Sequence, residues 1–373
     1  MLSKARCSLP LRGQRGASLT APLPLMALGL LALLTALWGG LVRLGWDWPL
    51  PWPNLFIAHG PLMVCGFLGT LIGVERAVAL GVFWPYAAPL FTAVGTLALL
   101  TGLPAPPLMT LGSLGLVAIF VVIMRRQCAL ATRTMALGAL LWLVGNAGWR
   151  AGWPVPQVVP WWSGFLVLTI AGERLELSRL LRLSVLHHIM FLLAVSILLA
   201  GLLLLALGLA SGGHVIGLGM LALAWWLLQY DIARRTVWQT GVTRFIAVCL
   251  LSGYVWLGVG GALTWLFAGI VAGPYYDARL HTVFVGFVFA MIFAHAPIIL
   301  PAILGWTTSP YQPALYVPLL LLHASLLLRV AGDLMGWWTG RQWGGLLNAL
   351  AVLLFLITLA RGVLRARESL LLR

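Results

Sequence analysis

The chain has 373 residues, of which 62% are hydrophobic and only 8% are charged, and its mean hydropathy is +1.02. Soluble globular chains carry about 25% charged residues, so this composition excludes a water-soluble domain and indicates a protein that lies in a lipid bilayer. The formal net charge is +15. In a membrane protein such a charge first indicates orientation, so it predicts no nucleic-acid partner.

Apolar segments follow one another along the chain, separated by turns rich in proline, glycine and polar residues. A helix that spans a bilayer needs about 20 mostly apolar residues. The predicted fold is an all-α polytopic membrane protein, a single transmembrane domain over 1–373 with a basic tail over 1–21. The twelve predicted spans are 22–42, 54–74, 85–103, 107–124, 134–150, 158–173, 183–210, 214–230, 244–270, 280–304, 313–331 and 345–362.

The basic residues are unevenly distributed between the two sides of these twelve spans. If the amino terminus lies inside, only five of the 23 lysines and arginines fall on outer segments, namely Arg43, Arg150, Arg279, Arg329 and Arg341. Cytoplasmic segments carry an excess of Lys and Arg. The pattern therefore predicts a multi-pass protein of the cell inner (plasma) membrane with both termini in the cytoplasm.

Three Gly-Phe pairs occur in the chain, in the segments "GFLGTLIGVE", "GFLVLTIAGE" and "GFVFAMIFAH". They fall on predicted spans 2, 6 and 10, and the ninth residue after each glycine is Glu75, Glu173 or His295. This pattern predicts three four-helix units related by pseudo-threefold symmetry, over about 22–124, 134–230 and 244–362. The alternative is chance similarity in a sequence rich in Gly and Leu, where small residues serve helix packing.

Two histidines lie near the predicted outer ends of spans 2 and 10. His59 is seven residues before its Gly-Phe pair and His281 is five residues before its own. At 1.5 Å per residue, the two differ in depth by only about 3 Å. Two imidazoles at one level on parallel helices are a pattern that can ligate one haem iron from opposite sides. The alternative is that both are interfacial side chains bonded to water or to carbonyl groups.

Two glycines share the helical face of His59 if the whole segment is an α-helix. Gly66 and Gly73 follow it at offsets of 7 and 14 residues, which returns to the same face at about 100° per residue. This smooth stripe predicts a surface that a flat macrocycle can approach. Packing of another helix against the stripe is the competing interpretation.

A second set of polar residues falls toward the predicted cytoplasmic side. Ionisable residues within spans are costly and usually face a cavity or a partner, so this set suggests a proton route or a metal site. The alternative is that Glu75-Arg76 and Glu173-Arg174 form ion pairs at the helix ends. Candidate metal ligands besides His59 and His281 are His295, His187 and His188, and candidate residues of a polar pathway are Glu75, Glu173 and His323.

The twelve spans in three arcs, with an outer histidine on spans 2 and 10, resemble subunit I of the haem-copper oxidase superfamily. They resemble still more the NnrS family of haem- and copper-containing membrane proteins linked to nitric oxide metabolism. The resemblance implies a b-type haem bound by His59 in "AHGPLM" and His281 in "RLHTVFVGF". It also implies that copper is a possible second cofactor.

The same comparison exposes departures from the oxidases. Arg279 and Val283 stand where an oxidase has the second histidine of helix 10, span 6 has no histidine, and His187 and His188 lie at the opposite end of span 7 from the oxidase copper ligands. The resemblance therefore does not imply oxygen reduction.

Three functions remain open from the sequence. The first is a haem-binding membrane protein in electron transfer or nitric oxide-related metabolism, with a redox partner or other membrane subunits as possible partners. The second is a transporter or channel that uses the intramembrane Glu and His residues. The third is a non-catalytic assembly subunit of a membrane redox complex. No phosphate-binding loop or nucleophile elbow is present, which argues against ATP hydrolysis and serine hydrolase chemistry.

Overall fold

A computed structural model describes residues 22–304 and 309–371, which are helical and contain no β-strand. The predicted basic tail, 1–21, lies outside the described residues. Two helices, α2 and α10, each contain an internal π-helical segment. The long helices are α1 Pro22–Arg43, α2 Leu55–Leu80, α3 Ala87–Thr101, α4 Pro106–Arg126, α5 Leu130–Arg150, α6 Val155–Leu177, α7 Val185–Ala206, α8 Ser211–Tyr230, α9 Gly241–Leu266, α10 Pro274–His281 continued by Thr282–Phe289 and Ala290–Leu304, α11 Tyr316–Met335 and α12 Trp338–Leu371.

Among the described residues, ten of these helices are long and apolar enough to cross a membrane. This confirms the all-α, multi-pass membrane class, whereas twelve spans are not confirmed. Helix α3 has 15 residues, which at 1.5 Å per residue is about 22 Å, less than the roughly 30 Å of a bilayer core. Helix α5 has 21 residues but includes Arg133 and Arg150. Each of the twelve predicted segments nevertheless overlaps one long helix.

The described chain divides into two compact units. The first contains 22–39 and Leu50–Glu173, and the second contains Gly40–Pro49 and the described residues from Arg174 onward. The boundary between Glu173 and Arg174 falls inside the second predicted repeat, 134–230. The three repeats are therefore not the compact units of the structure, and their symmetry stays a prediction.

In the first unit, helices meet through glycines and large aromatic rings. A Cβ added to Gly112 of α4 would lie 2.5 Å from the Thr92 side chain of α3, so these two helices pack at close range. The Trp142 and Phe165 rings of α5 and α6 stack with centroids 4.8 Å apart. Because lipid tails are as apolar as leucine, membrane helices associate through such close packing and through polar bonds.

The second unit uses the same device at three helix pairs. A Cβ at Gly219 of α8 would lie 2.6 Å from the Leu198 backbone of α7, and one at Gly217 would lie 2.6 Å from the Trp265 backbone of α9. At Gly344 of α12 it would lie 2.5 Å from the backbone nitrogen of Arg329 in α11. The last contact brings the polar side chains of α11 and α12 close together.

Candidate functional site

The two histidine-bearing helices share a backbone irregularity. In α2, the π-helical segment Leu62–Gly69 begins four residues before Gly66 and ends three residues after it. In α10, the π-helical segment Thr282–Phe289 has the same register to Gly286. Helix α6, which carries the third Gly-Phe pair, is an α-helix throughout its length. π-Helices are rare and often lie at functional sites, so the matched pair singles out α2 and α10.

His59 is half-buried in the first unit and its ring is oriented by the backbone. Its Nδ1 lies 2.7 Å from the carbonyl oxygen of Ala36 in α1. Because a carbonyl oxygen can only accept, Nδ1 carries the proton and the lone pair of the neutral ring is on Nε2. This is the tautomer that a metal-ligating histidine needs when it binds through Nε2.

His281 has the same tautomer in the second unit. Its Nδ1 lies 2.9 Å from the backbone oxygen of Asp277, one turn earlier in α10. The Asp277 carboxylate is also close, with Oδ1 3.4 Å from Nδ1. A carboxylate beside the proton-bearing nitrogen orients the ring and raises its basicity.

Asp277 is the centre of an ionic cluster from three helices, which we call the Asp277 cluster. Arg329 of α11 donates to both carboxylate oxygens, from Nε at 2.9 Å and from Nη2 at 3.1 Å. Arg341 of α12 has its Nη2 3.6 Å from Asp277 and its Nε 2.8 Å from Asp333 of α11. The Asp333 side chain is fully buried and Arg329 is 8% exposed. Two guanidinium groups and two carboxylates thus balance in charge beside His281.

The glycine stripe of α2 is filled by protein side chains. A Cβ at Gly66 would lie 2.7 Å from Thr96 Oγ1 and 3.0 Å from Ala32 Cβ, and one at Gly73 would lie 3.1 Å from Pro89. Both glycines pack against neighbouring helices, and their assignment to a haem-facing surface stays a prediction. The π-helical segment adds residues to the turn between His59 and Gly73, so the 100° per residue of an α-helix does not hold between them.

The two glutamates of the predicted repeat meet in the first unit. Arg76 forms ion pairs with Glu75 and with Glu173, and its side chain is 15% exposed. Arg174 does not form the predicted pair with Glu173. It donates instead from Nε and Nη2 to Asp231 at 2.8 and 3.0 Å, and both of these side chains are buried.

His323 lies in α11, where its ring is bound by a tryptophan of α9. Trp256 of α9 donates from its indole nitrogen to His323 Nδ1 at 3.0 Å, so the proton of the neutral ring is on Nε2. The same Trp256 ring covers Gly286, where an added Cβ would lie 2.5 Å from it. This contact places His323 beside the π-helical segment of α10.

The remaining candidate ligands are engaged in local helix bonds. His187 Nδ1 accepts from the Ser184 backbone at 3.0 Å as part of a capping box at the start of α7. His188 donates to the Ser184 carbonyl at 2.8 Å, and His295 donates to the Met291 carbonyl at 2.7 Å. Within 22–304 and 309–371, no group of three or more His, Cys, Asp or Glu residues could hold a metal ion.

The sequence reading did not identify Asp277, Asp333 or the Arg174–Asp231 pair. A usable signal existed, because only eight acidic residues occur in the chain and carboxylates inside apolar segments are costly unless paired. Asp277 precedes His281 by four residues, and Asp333 follows Arg329 by four. Both spacings place the two side chains on one helix face.

A family described as a domain of unknown function, DUF8744, matches residues 22–364 of the chain. The match begins with the first residue of α1 and includes both π-helical segments, the Asp277 cluster and all seven histidines. A comparison with curated proteins finds no match. Since the family match covers far more than half of the sequence, the chain belongs to the DUF8744 family.

Proposed function

We propose that this protein is a haem-binding integral membrane protein in which His59 and His281 would hold a b-type haem. Its proposed role is electron transfer or nitric oxide-related metabolism, as the likeness to NnrS proteins and oxidase subunit I implies. The finer topology belongs to the same proposal. The protein would lie in the cell inner membrane with twelve spans in three four-helix units, and both termini would be in the cytoplasm.

The observation that carries the proposal is the matched setting of the two histidines. Each donates its Nδ1 proton to a backbone carbonyl, 2.7 Å away for His59 and 2.9 Å for His281. Each lies within three residues of the start of a π-helical segment, and the two segments have the same register to a Gly-Phe pair. This donor pattern fits a haem iron, which takes neutral imidazole nitrogen as ligand.

The residues around the two histidines have separable tasks in this proposal. Ala36 and Asp277 fix the tautomer and the ring orientation through their carbonyl groups. The Asp277 carboxylate, held in place by Arg329, lies 3.4 Å from the proton-bearing Nδ1 of His281 and helps to orient the neutral ring. A haem with two histidine ligands supplies one-electron transfer, with a potential that such neighbours tune.

Copper is not included in the proposal. His187 accepts a hydrogen bond at Nδ1 from a backbone N–H. It lies beside His188 in the first turn of α7, while His295 is in another helix. Nor do the carboxylates favour a transporter, because Glu75 and Glu173 share Arg76 as a partner. An ion route needs groups that can exchange partners, whereas these two glutamates converge on one arginine.

The test is optical and magnetic spectroscopy of the full chain, purified in detergent after expression with a haem precursor. We expect a Soret band, a reduced-minus-oxidised spectrum of b type and a low-spin ferric signal in electron paramagnetic resonance. His59→Ala and His281→Ala should each abolish the low-spin signal and lower haem content at least several-fold.

His214→Ala is the matched control. His214 also donates from Nδ1 to a carbonyl, that of Trp265 at 2.8 Å, but it is exposed and lies in a regular α-helix. The control should leave the spectrum unchanged. A wild-type protein that folds and contains no haem would overturn the proposal and leave the assembly-subunit alternative.

A further inference from the structure

A groove in the second unit, between α8 and α9, lies outside the two π-helical helices α2 and α10. Its volume is about 610 Å³, within the range of small-molecule sites. Its lining residues come from the end of α8, from the connection that follows it, where the lining is cationic, and from α9, where it is mainly apolar. The residues that matter are Gln229, Arg234, Trp238, Leu228, Leu251 and Val255.

The apolar end of the groove extends along α9. Leu251 and Val255 are four residues apart and thus on one helix face. Val255 lies 14 residues after the start of the helix at Gly241, which corresponds to about 21 Å at 1.5 Å per residue. The hydroxyl of Ser252, between them, donates to the Val248 carbonyl of its own helix at 2.8 Å. From Leu251 to Val255 the wall is therefore mainly hydrocarbon over about 6 Å of helix length.

The polar end of the groove is cationic. Arg234 and Arg235 are exposed in the connection from α8 to α9, and among 22–304 and 309–371 no carboxylate forms an ion pair with either. The neighbouring carboxylate, Asp231, is buried and bound by Arg174. Arg234 uses Nη1 for both its bonds to Gln229. A guanidinium has five N–H donors, so donors remain for an anion.

An exposed tryptophan also lines the groove. The Trp238 side chain is 87% exposed, and it lies in the same connection as Arg234, four residues later. Tryptophan side chains settle at the headgroup level of a bilayer, where one edge of the ring is wet and the rest is apolar. This sets the expected level of a phosphate at Arg234 and of an acyl chain beyond it.

We propose that the groove between α8 and α9 binds one anionic phospholipid, with its phosphate on Arg234 beside Trp238 and an acyl chain along Leu251 and Val255. The complementarity is of charge at one end and of apolar surface at the other. A soluble phosphate compound fits only the first end, and a zwitterionic lipid fits mainly the second. The site is independent of the proposed haem function, since all its residues lie in 228–255.

The experiment is a titration of delipidated full-length protein in a neutral detergent, with bound lipid counted by native mass spectrometry. The probes are phosphatidylglycerol and phosphatidylcholine with identical acyl chains. We expect phosphatidylglycerol to bind several-fold more tightly. Because Arg234 would donate charge-assisted hydrogen bonds to the phosphate, Arg234→Gln should weaken phosphatidylglycerol binding about tenfold or more and remove the preference between the lipids.

Two further variants and a competitor locate the site. Val255→Phe, at an exposed position that tolerates a larger ring, should weaken both lipids several-fold by filling the apolar end. Arg126→Gln, at an exposed arginine in the first unit, should change nothing. Equal binding of the two lipids, wild-type affinity in folded Arg234→Gln, or displacement of the lipid by millimolar glycerol 3-phosphate would each overturn the proposal.

Discussion

Helices α2 and α10 have the same backbone irregularity, but the side chains around it are uncharged in α2 and charged in α10. Each has an eight-residue π-helical segment in one register to a Gly-Phe pair. Around the π-helical segment of α2, the contacting side chains are uncharged, such as Thr96 against Gly66 and Asn146 against Cys65, and the ion pairs of Arg76 lie further along the helix. Around α10, Asp277 joins Arg329 and Arg341 beside His281. The irregularity therefore does not depend on neighbouring charge, and the charge can be altered while the irregularity stays.

The largest expected effect comes from removing the charge at the centre of the Asp277 cluster. Asp277→Asn leaves Arg329 and Arg341 with one carboxylate, Asp333, in a setting where Asp277 is only 16% exposed. Breaking one partner of such a pair typically costs about 3–5 kcal/mol. We expect a loss of that size in the free energy of unfolding, measured by circular dichroism as mixed micelles are titrated with SDS.

The matched control for this variant is Asp47→Asn, because Asp47 is exposed in the connection after α1. Its unfolding free energy should match wild type within about 0.5 kcal/mol. A loss below about 1 kcal/mol in Asp277→Asn would show that the cluster contributes little to α10. The charged residues around α10 would then not account for any difference in stability between the two helices.

A smaller effect should come from filling the glycine of each π-helical segment. A new Cβ at Gly286 would lie 2.5 Å from the Trp256 ring, and one at Gly66 would lie 2.7 Å from Thr96 Oγ1. Overpacking of this kind costs about 1–3 kcal/mol. We expect Gly286→Ala to be the more costly in the same unfolding titration, because an indole ring yields less than a threonine hydroxyl.

Gly60→Ala is the internal reference for both variants. It lies in the same helix as Gly66, and nothing lies within 4 Å of an added Cβ. Alanine is favoured over glycine in a helix by about 0.5–1 kcal/mol, so this variant should equal or exceed wild type in stability. If Gly286→Ala and Gly60→Ala behaved alike, close packing against the π-helical segments would be refuted.

The smallest expected effect concerns the contact between Trp256 and His323. Trp256→Phe keeps a ring over Gly286 but removes the donor that lies 3.0 Å from His323 Nδ1. A net hydrogen bond contributes about 1 kcal/mol, and we expect that loss in unfolding free energy. Trp225→Phe, at a 47% exposed ring on α8, should lie within error of wild type. Equal unfolding free energies for the two variants would show that the hydrogen bond between Trp256 and His323 does not stabilise the protein.

Apolar segment length and breaker residues were sufficient to place the helices. Each predicted span overlaps a long helix, and the break "AGPYYD" precedes α10 with Pro274 at its first position, where proline is favoured. The π-helical segments were not predictable in this way. Their sequences, "LMVCGFLG" and "TVFVGFVF", satisfy an α-helical pattern equally well, because a change to i→i+5 bonding depends on packing.

The candidate site was predictable where local spacing decides it and not where packing decides it. The tautomers of His59 and His281 depend on the carbonyls of Ala36 and Asp277, and only the second is one turn away in the sequence. The Arg174 side chain illustrates the limit, since its partner is Asp231, 57 positions away, rather than the adjacent Glu173. Apolar periodicity contains no information on which of two carboxylates an arginine reaches.

The two π-helical segments have a consequence for how these helices tolerate changes in length. A residue lost from Leu62–Gly69 or Thr282–Phe289 can be absorbed by a return from i→i+5 to i→i+4 bonding. Single-residue deletions are usually accommodated in loops. Here two segments inside apolar helices can accommodate them as well. We expect a deletion there to preserve insertion into the membrane and largely to keep the orientation of the carboxy-terminal half of the helix relative to its histidine, whereas a deletion in a regular α-helix rotates it by about 100°.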